Sequence, residues 1–448
     1  MFSRALGFVL VVLALGCASS LRDRAWLERE LVERTGAGTR GGSDEAQPSG
    51  VNLEDGLDEP EVIAVALWRN PLLAAELTRI DAAFATLDEA RRPANPQVSL
   101  MGPIGPVTAV ATLLLPLESL WQMPSRTESA ARDADVAGES VLMRALDVVR
   151  DARLLHVELG LAADRARVRA ELAEVAAEAA RIVSVRADVG EVSPLEARMV
   201  IADAQTSADL REVAETEVAM ARTRLLATLA LDAPSRPLHA VFEGEVSGPP
   251  ALRELLRIAR IARPDARAAE LAISAAGARA GWEETRLVNL GALVDAQWNQ
   301  AAGPGVRLGG RADLPIFNQN QGGIGRAEAE VARATAQHEV VARTAIMEVT
   351  LAHTRFAQAS RSRARFEVEV LAGLDEALRM ATQGFETGDQ TFLVVLDALR
   401  RVGEARLRHA ELVAEQRRAL AELERAIGAR LSRAAEVATR IQAERELR

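Results

Sequence analysis

The amino-acid sequence runs twice through the same order of patterns, and this internal repeat is the feature that most restricts its possible folds. The segment ALWRNPLLAAELTRIDAA (66–83) has a counterpart in IARPDARAAELAISAAG (261–277), and LPLE (115–118) has one in LPIF (314–317). The paired segments lie roughly 190 to 200 residues apart, and self-similarity at one spacing indicates a repeated supersecondary unit. We therefore expect two equivalent halves, each opening with a helix that contains an internal proline.

A short strand pair is predicted in each half, at 95–117 in the first and at 289–317 in the second. Both segments combine strand-forming residues with Pro and Gly at a turn. Two hairpins cannot close a barrel, and every strand edge must be paired inside a membrane. Either several copies pool their strands into one barrel or the hairpins are soluble surface features, and the strand pattern alone leaves both open.

Very long helical stretches follow the two hairpins, at about 126–186 and 325–383. Apolar residues recur there at steps of three and four. A helix of about 60 residues extends roughly 90 Å, which is far longer than a helix of a globular domain. Each stretch reverses at a turn that contains glycine, at 187–196 and at 384–392. Antiparallel helical hairpins packed as coiled coils are therefore expected.

The remaining boundaries follow from clusters of Gly and Pro. Residues 36–60 are rich in Gly, Ser, Asp, Glu and Pro, a composition typical of an extended linker. The predicted parts of the chain after this linker are a first repeat at 61–232, a connection at 233–250, a second repeat at 251–428 and a C-terminal tail at 429–448.

The N-terminus has the layout of an export signal over residues 1–16, in which an apolar run follows Arg4. Cys17 is the only cysteine, and its position resembles the lipobox of bacterial lipoproteins, in which the cysteine is acylated and becomes the new N-terminus. Ala18, rather than Asp, follows it, which by the same resemblance implies the outer membrane. Segment 17–60 is thus expected to be a lipid-anchored segment and linker. An ordinary secretory signal with an incidental cysteine is the alternative.

The composition lacks the parts of an enzyme or of a nucleic-acid-binding protein. The net charge is −10, from 54 basic and 64 acidic residues without a basic block, which argues against nucleic acid as a partner. The five histidines are scattered singly, and neither HExxH nor GxGxxG occurs. We therefore predict no catalytic residue, no metal site and no cofactor.

Three motifs in order support a family resemblance. They are Asn70-Pro71 with Ala74-Ala75, LPIFNQNQGGIGRAEAE (314–330) and FETGDQTFLVVLDA (385–398). Over residues 60–428 the chain resembles the outer membrane efflux protein (TolC-like) family, in its lipoprotein form. The resemblance implies a mainly α fold with a small β part. Long antiparallel coiled-coil hairpins would form an α-barrel, and four strands per chain would enter a trimeric 12-stranded transmembrane β-barrel.

The same resemblance implies a function and partners. The chain would be the passive exit duct of a tripartite efflux or secretion system, a homotrimer anchored in outer-membrane lipid and extending into the periplasm. A periplasmic adaptor protein would join it to an inner-membrane transporter of the resistance-nodulation-division, ABC or major facilitator type. The transporter would select metal, drug or peptide cargo. A periplasmic adaptor and a poreless structural coiled-coil lipoprotein are the alternative interpretations.

The resemblance also implies where the duct would close. The family has two acidic residues three positions apart on the inner helix after the second tip; here Asp397 has the second position and Val394 the first. Asp397 and Val394 are therefore candidates for a tunnel constriction, and a solvated carboxylate is the alternative for Asp397. The candidate tip-turn and adaptor-contact residues, which are alternatively ordinary turn residues, are Gly190, Pro194, Glu386, Gly388 and Asp389.

Overall fold

In the residues that it describes, a computed structural model shows mainly helices and one antiparallel sheet of four strands, which confirms the predicted mainly α fold with a small β part. The signal peptide, Cys17 and most of the predicted connection at 233–250 lie outside the described residues. The structure describes residues 21–40, 48, 50–52, 56–102, 107–232, 240, 248, 250–299, 303–313 and 315–446.

The elements of the two halves follow one another in the same order. The first half contains α2 (Glu59–Arg69), α3 (Pro71–Ala90), β1 (Gln97–Met101), β2 (Val107–Pro116), α4 (Glu118–Asp188) and α5 (Pro194–Thr228). The second half contains α6 (Leu252–Ala262), α7 (Pro264–Thr285), β3 (Asn289–Asn299), β4 (Gly303–Asp313), α8 (Gln321–Arg365), a π-helix (Phe366–Leu371), α9 (Ala372–Thr387) and α10 (Phe392–Ile427). Outside the halves lie α1 (Arg24–Thr35) and α11 (Leu431–Glu446).

Each half opens with two helices where the sequence predicted one helix with an internal proline. The residue before each proline is extended: Asn70 has φ −61° and ψ 120°, and Arg263 has φ −67° and ψ 124°. A proline ring disfavours the helical conformation in the preceding residue, whereas it is well tolerated at the first position of the next helix. The prediction of one helix with an internal proline at 66–83 and at 261–277 was therefore wrong.

The segment predicted as a linker at 17–60 contains a folded helix, α1. Leu27 and Leu31, one turn apart, are buried, and Arg34 is only 1% exposed. Just before the helix, Arg22 is buried as well, and its Nε lies 2.8 Å from Oε1 of Glu139. Charged residues dominate the segment, so its composition is that of a solvated stretch. Ion pairs formed with distant residues decide that it is ordered.

The chain forms two compact units. The strand unit comprises the described residues of Met1–Glu30, Glu76–Leu142 and Pro264–Ala342, and it includes the sheet. The arm unit comprises the described residues of Leu31–Ala75, Met143–Arg263 and Arg343–Arg448.

The core of the arm unit includes a buried ionic cluster around Arg153. Its guanidinium lies 3.0 Å from Glu59 and 2.6 Å from Glu424, and the Arg153 side chain is 4% exposed. Burial alone would raise the pKa of Glu59, but Arg153 and Arg430 together hold it below its usual value. A buried pair of this kind is costly to break, because the remaining charge has no compensation.

The predicted C-terminal tail at 429–448 contains α11, a packed helix of the arm unit. Val437, Ala438 and Ile441 on one side of it are buried in a cluster with Leu255 and Ile258 of α6. Apolar residues at steps of three and four produce this buried stripe.

Two helices of the arm unit end at a residue with a left-handed backbone conformation, and substitutions at these two residues test that conformation. Gly428 after α10 has φ +84°, and Ala230 after α5 has φ +48°. Gly428→Ala should lower the free energy of unfolding by about 1–2 kcal/mol, since a left-handed backbone costs an L-residue that much. The new Cβ would also lie 3.1 Å from the carbonyl oxygen of Ala262. Urea denaturation in detergent measures the change.

Ala230→Gly is the matched control at the corresponding end of α5. It should leave stability unchanged or raise it by up to about 1 kcal/mol, because relief of the left-handed backbone offsets the greater freedom of the unfolded chain. An equal loss of stability in both variants would contradict the left-handed conformation of these two residues.

The burial of His156 can be tested through the pH dependence of stability. Its Nε2 lies 2.8 Å from the carbonyl oxygen of Leu57, and burial lowers the pKa of His156 below that of an exposed histidine. The unfolded chain therefore binds more protons as pH falls below about 6.5, so the free energy of unfolding should decline there and be flat above pH 7. His156→Gln keeps an N–H donor and should remove this slope. A slope that persists in the variant would assign the acid sensitivity to carboxylates.

Candidate functional site

The four strands form one continuous sheet in the order β1-β2-β3-β4, all antiparallel. The two predicted hairpins are thus joined, because β2 of the first half pairs with β3 of the second over Val107–Pro116 and Asn289–Asn299. A side-chain hydrogen bond crosses this junction, in which the Thr112 hydroxyl donates to Oδ1 of Asp295 at 2.6 Å.

The sheet has one apolar face and a second face, called here the polar face, that carries its charged residues together with Leu114 and Leu293. Paired residues in an antiparallel sheet share a face, and successive residues along a strand alternate between faces. One row across the four strands is Val98, Leu113, Val294 and Leu308. The adjacent row, on the opposite face, is Ser99, Thr112, Asp295 and Arg307. Within the described strands, the charged residues Asp295, Arg307, Arg311 and Asp313 all lie on the polar face.

Both faces are solvated in a single chain, which is unusual for the apolar one. Leu308 is 83% exposed and Leu100 is 78% exposed. β1 and β4 are the outer strands, and each pairs on one side only among the described residues. Open edges beside an exposed apolar face require a further partner.

The first predicted tip lies between α4 and α5 in the arm unit. Gly190 has φ +78°, a left-handed conformation that the turn requires. Pro194 is the first residue of α5, after the N-cap Ser193, whose side chain accepts from the backbone N–H of Glu196. Proline is favoured there because its missing N–H would have no partner inside the helix.

The second predicted tip lies between α9 and α10. Gly388 caps α9 with φ +83°, and the backbone N–H of Asp389 donates to the Gly384 carbonyl at 2.8 Å. The Asp389 carboxylate accepts from the Thr387 hydroxyl at 2.9 Å, and Glu386 is exposed. Gly388 and Asp389 therefore have a structural role in the turn, and Glu386 is available for a contact.

The two constriction candidates are exposed residues near the start of α10, where Val394 and Asp397 lie three positions apart. Asp397 does not stand alone. It accepts hydrogen bonds from Nε of Arg401 at 2.7 Å and from Nη2 of Arg400 at 3.3 Å. The hydrogen bond from Arg401 is the main reason that the pKa of Asp397 lies below its usual value.

Sequence reasoning missed Arg400 and Arg401 as parts of this site. Residues three and four positions apart are neighbours on a helix, so the spacing from Asp397 was a usable signal. The sequence alone presented Asp397 as a carboxylate by itself, whereas the structure pairs it with two arginines, of which Arg400 also lies 3.9 Å from Glu404.

Two features of the described part of the chain bear on the site. No group of three or more His, Cys, Asp or Glu side chains is arranged to hold a metal ion there. None of its helices combines the length and the apolar character needed to span a membrane.

Comparison with known proteins identifies the second half of the chain. The model of the outer membrane efflux protein family matches residues 255–429. The chain contains an outer membrane efflux protein domain. The predicted recognition of this family is confirmed, and the matched efflux protein domain runs from α6 through the whole of α10.

Relatives and solved structures extend the likeness beyond that domain. The cobalt-zinc-cadmium resistance protein CzcC of Cupriavidus metallidurans is 24% identical over 376 residues, which cover 82% of this chain and 88% of that protein. The fold is similar to that of the Campylobacter jejuni CmeC outer membrane channel, with a TM-score of 0.71 and 14% identity over 90% of this chain and 93% of that one. It is also similar to the open Neisseria gonorrhoeae MtrE outer membrane channel, with a TM-score of 0.66 and 18% identity over 87% and 95%.

Proposed function

We propose that this protein is the exit duct of a tripartite efflux system, a lipid-anchored homotrimer that conducts solutes passively across the periplasm and outer membrane. The observation that carries the proposal is the sheet, which has an apolar face, a polar face and two open edges. The match of residues 255–429 to the outer membrane efflux protein family supports it.

Assembly around a threefold axis explains both open edges. When β4 of one copy pairs with β1 of the next, three sheets of four strands close into a barrel of twelve strands. A closed barrel has no unpaired edge, as the bilayer requires. The row of Val98, Leu113, Val294 and Leu308 then faces lipid, and the row of Ser99, Thr112, Asp295 and Arg307 lines the lumen.

The arm unit offers a second surface for the same assembly. Along α5, an exposed apolar stripe repeats at helical spacing, namely Leu195, Met199, Leu210, Val213 and Met220. Contiguous apolar residues on a helix surface mark a protein contact. A neighbouring copy buries this stripe in the proposed trimer, as cyclic symmetry places the same surfaces together in every copy.

The proposed cargo is divalent heavy-metal cations, on the name of the relative CzcC. The described sheet does not itself favour cations, because Asp295 and Asp313 on its polar face are matched by Arg307 and Arg311. Selection therefore belongs to an inner-membrane transporter. A periplasmic adaptor links the two proteins and contacts the tip turns around Gly190, Pro194, Glu386, Gly388 and Asp389.

The proposed constriction is a mixed ring of charges at the start of α10. Three copies bring together three Asp397 carboxylates with the Arg400 and Arg401 guanidinium groups that hold them. Val394, one turn earlier, adds an apolar ring. Because each acid is paired with two cations, the ring restrains the helices and does not attract metal ions strongly. Cys17, acylated and made the new N-terminus by removal of residues 1–16, anchors each copy in the outer membrane.

Single-channel recording in planar bilayers tests the duct and the ring together. The purified protein should form discrete pores. Asp397→Asn should lower the cation-to-anion permeability ratio and Arg401→Gln should raise it. Each change should be about two- to fivefold, since a unit charge near an ion in water contributes up to about 1 kcal/mol. Glu386→Gln, in the turn outside the ring, is the control.

The outcomes separate the two parts of the proposal. Discrete pores with unchanged selectivity in both variants would support the duct but contradict a role of Asp397 in the constriction. The absence of any pore from correctly folded protein would favour the poreless lipoprotein.

A matched pair in β4 tests the assignment of the two faces. Leu308→Arg places a charge on the apolar face and should weaken assembly by about 2–4 kcal/mol, the cost of an arginine facing lipid at mid-bilayer. Gly309→Arg, the next residue, points to the polar face and should be tolerated, since a Cβ there meets only Leu293 at 3.7 Å. Heat-resistant trimers on electrophoresis gels measure the difference. Equal loss in both variants would contradict the lipid-facing assignment.

A further inference from the structure

Helix α6 of the arm unit carries three arginines on one exposed side, at Arg253, Arg257 and Arg260. We infer that they form a basic stripe that binds an acidic polymer, the peptidoglycan of the cell wall, through the carboxylates of its peptide stems. The inference rests on the proposed duct, whose arms cross the periplasm. It adds a docking surface that includes none of the sheet, tip-turn or constriction residues.

The geometry of α6 places the three arginines together. With 3.6 residues per turn, they lie within a sector of about 60° and span about 10 Å along the helix axis. The opposite side of the helix is fixed, because Leu255 and Ile258 are buried in a cluster with Val437 of α11. The basic stripe is therefore held on the outer side of a packed, amphipathic helix.

The positive charge of the basic stripe is not neutralised. In the described part of the chain, none of its three guanidinium groups forms an ion pair or a side-chain hydrogen bond. Other arginines of the arm helices pair with an acid three or four positions away, as Arg211 does with Glu215 and Arg408 with Glu411, each at 2.8 Å. Glu254 is the one acid of α6, so three cations against one anion leave a surplus of two positive charges.

The equivalent helix of the first half shows that the fold does not require the basic stripe. Asn70 and Arg263, the residues before the two prolines, align the two halves. In this alignment the three arginines correspond to Pro60, Ala64 and Leu67 of α2, none of which is charged. A helix at the same place in the repeat thus packs without cations at these positions, which favours a role outside the fold.

An acidic polymer fits the basic stripe better than a protein partner does. No large apolar side chain of α6, a helix that is described throughout, is exposed, whereas protein interfaces depend on apolar and aromatic anchors. Guanidinium groups bind carboxylates with two parallel hydrogen bonds. Exposed ion pairs are individually weak, but the proposed homotrimer presents three stripes to one polymer network, and multivalent binding compensates for weak contacts.

Co-sedimentation with purified peptidoglycan sacculi tests the inference on the full-length protein in detergent. The stripe variant replaces all three arginines of the basic stripe with Gln. The control variant carries Arg186→Gln, Arg361→Gln and Arg365→Gln, which removes three exposed arginines of the arm unit outside the stripe. Both variants lose the same net charge, so a difference between them reports the position of the charge.

Wild type and the control variant should sediment with sacculi at 0.1 M NaCl. They should be released at 1 M, because the Debye length falls from about 10 Å to about 3 Å. The stripe variant should need about tenfold more sacculi for half-maximal sedimentation, since the multivalent attachment is lost. It should keep its heat-resistant trimers and its single-channel conductance.

The outcomes separate the basic stripe from the duct. Equal sedimentation of wild type and the stripe variant would overturn the inference, as would wild type that forms pores without binding sacculi, and both would leave the duct intact. Loss of trimers in the stripe variant would assign the stripe to a contact between copies. Binding to phosphatidylglycerol vesicles in place of sacculi would assign it to lipid, and either assignment overturns the inference. Wild type that binds sacculi but forms no pores would contradict the proposed function alone.

Discussion

Both halves of the arm unit depend on one repeated hydrogen bond. It binds a backbone carbonyl at the C-terminal end of the second long helix, α5 in the first half and α10 in the second. Nδ2 of Asn70 donates to the Thr228 carbonyl at 3.0 Å, and Nη1 of Arg263 donates to the Ala426 carbonyl at 2.9 Å. The last carbonyls of a helix have no partner within it and carry its negative dipole end. A donor in front of each proline satisfies one of them. The hydrogen bond therefore joins the break before each proline to the C-terminal end of the long helical hairpin.

The two halves have diverged around this shared contact. Arg263, unlike Asn70, is a buried cation and also pairs with Glu348 at 2.8 Å, and Arg425 joins Glu348 to Asp147. Arg34 adds a third guanidinium, which donates to the carbonyls of Ala262 and Gly428 at 2.6 and 2.8 Å. Charge-assisted bonds to helix C-termini are stronger than neutral ones. The C-terminal end of α10 is thus bound by more charged donors than the C-terminal end of α5. Asp397 lies near the opposite end of α10.

Much of the architecture could be predicted because it depends on local patterns. Steps of three and four predicted the long helices, and the strand residues with their turns predicted both hairpins. The junction between the hairpins could not be predicted in the same way. Thr112 and Asp295 are 183 positions apart, and no local signal indicates that β2 pairs with β3. The ordered helix α1 was missed for a related reason, because Arg22 and Arg34 are stabilised by partners that are remote in sequence.

The sequence by itself indicated the twofold repeat, the resemblance to the outer membrane efflux protein family, the helical hairpins and the candidate tip residues, since periodicity, turn chemistry and motif spacing are properties of short segments. Only the tertiary structure decided that the four strands form one sheet with an apolar and a polar face. It also decided that Asp397 is held by Arg401 and that Arg22 of the N-terminal segment pairs with Glu139. These features depend on through-space contacts and on the burial of charge, and a buried arginine has the same letter in the sequence as a solvated one. Burial and pairing are set by the packing of distant segments, so they enter only when the chain has folded.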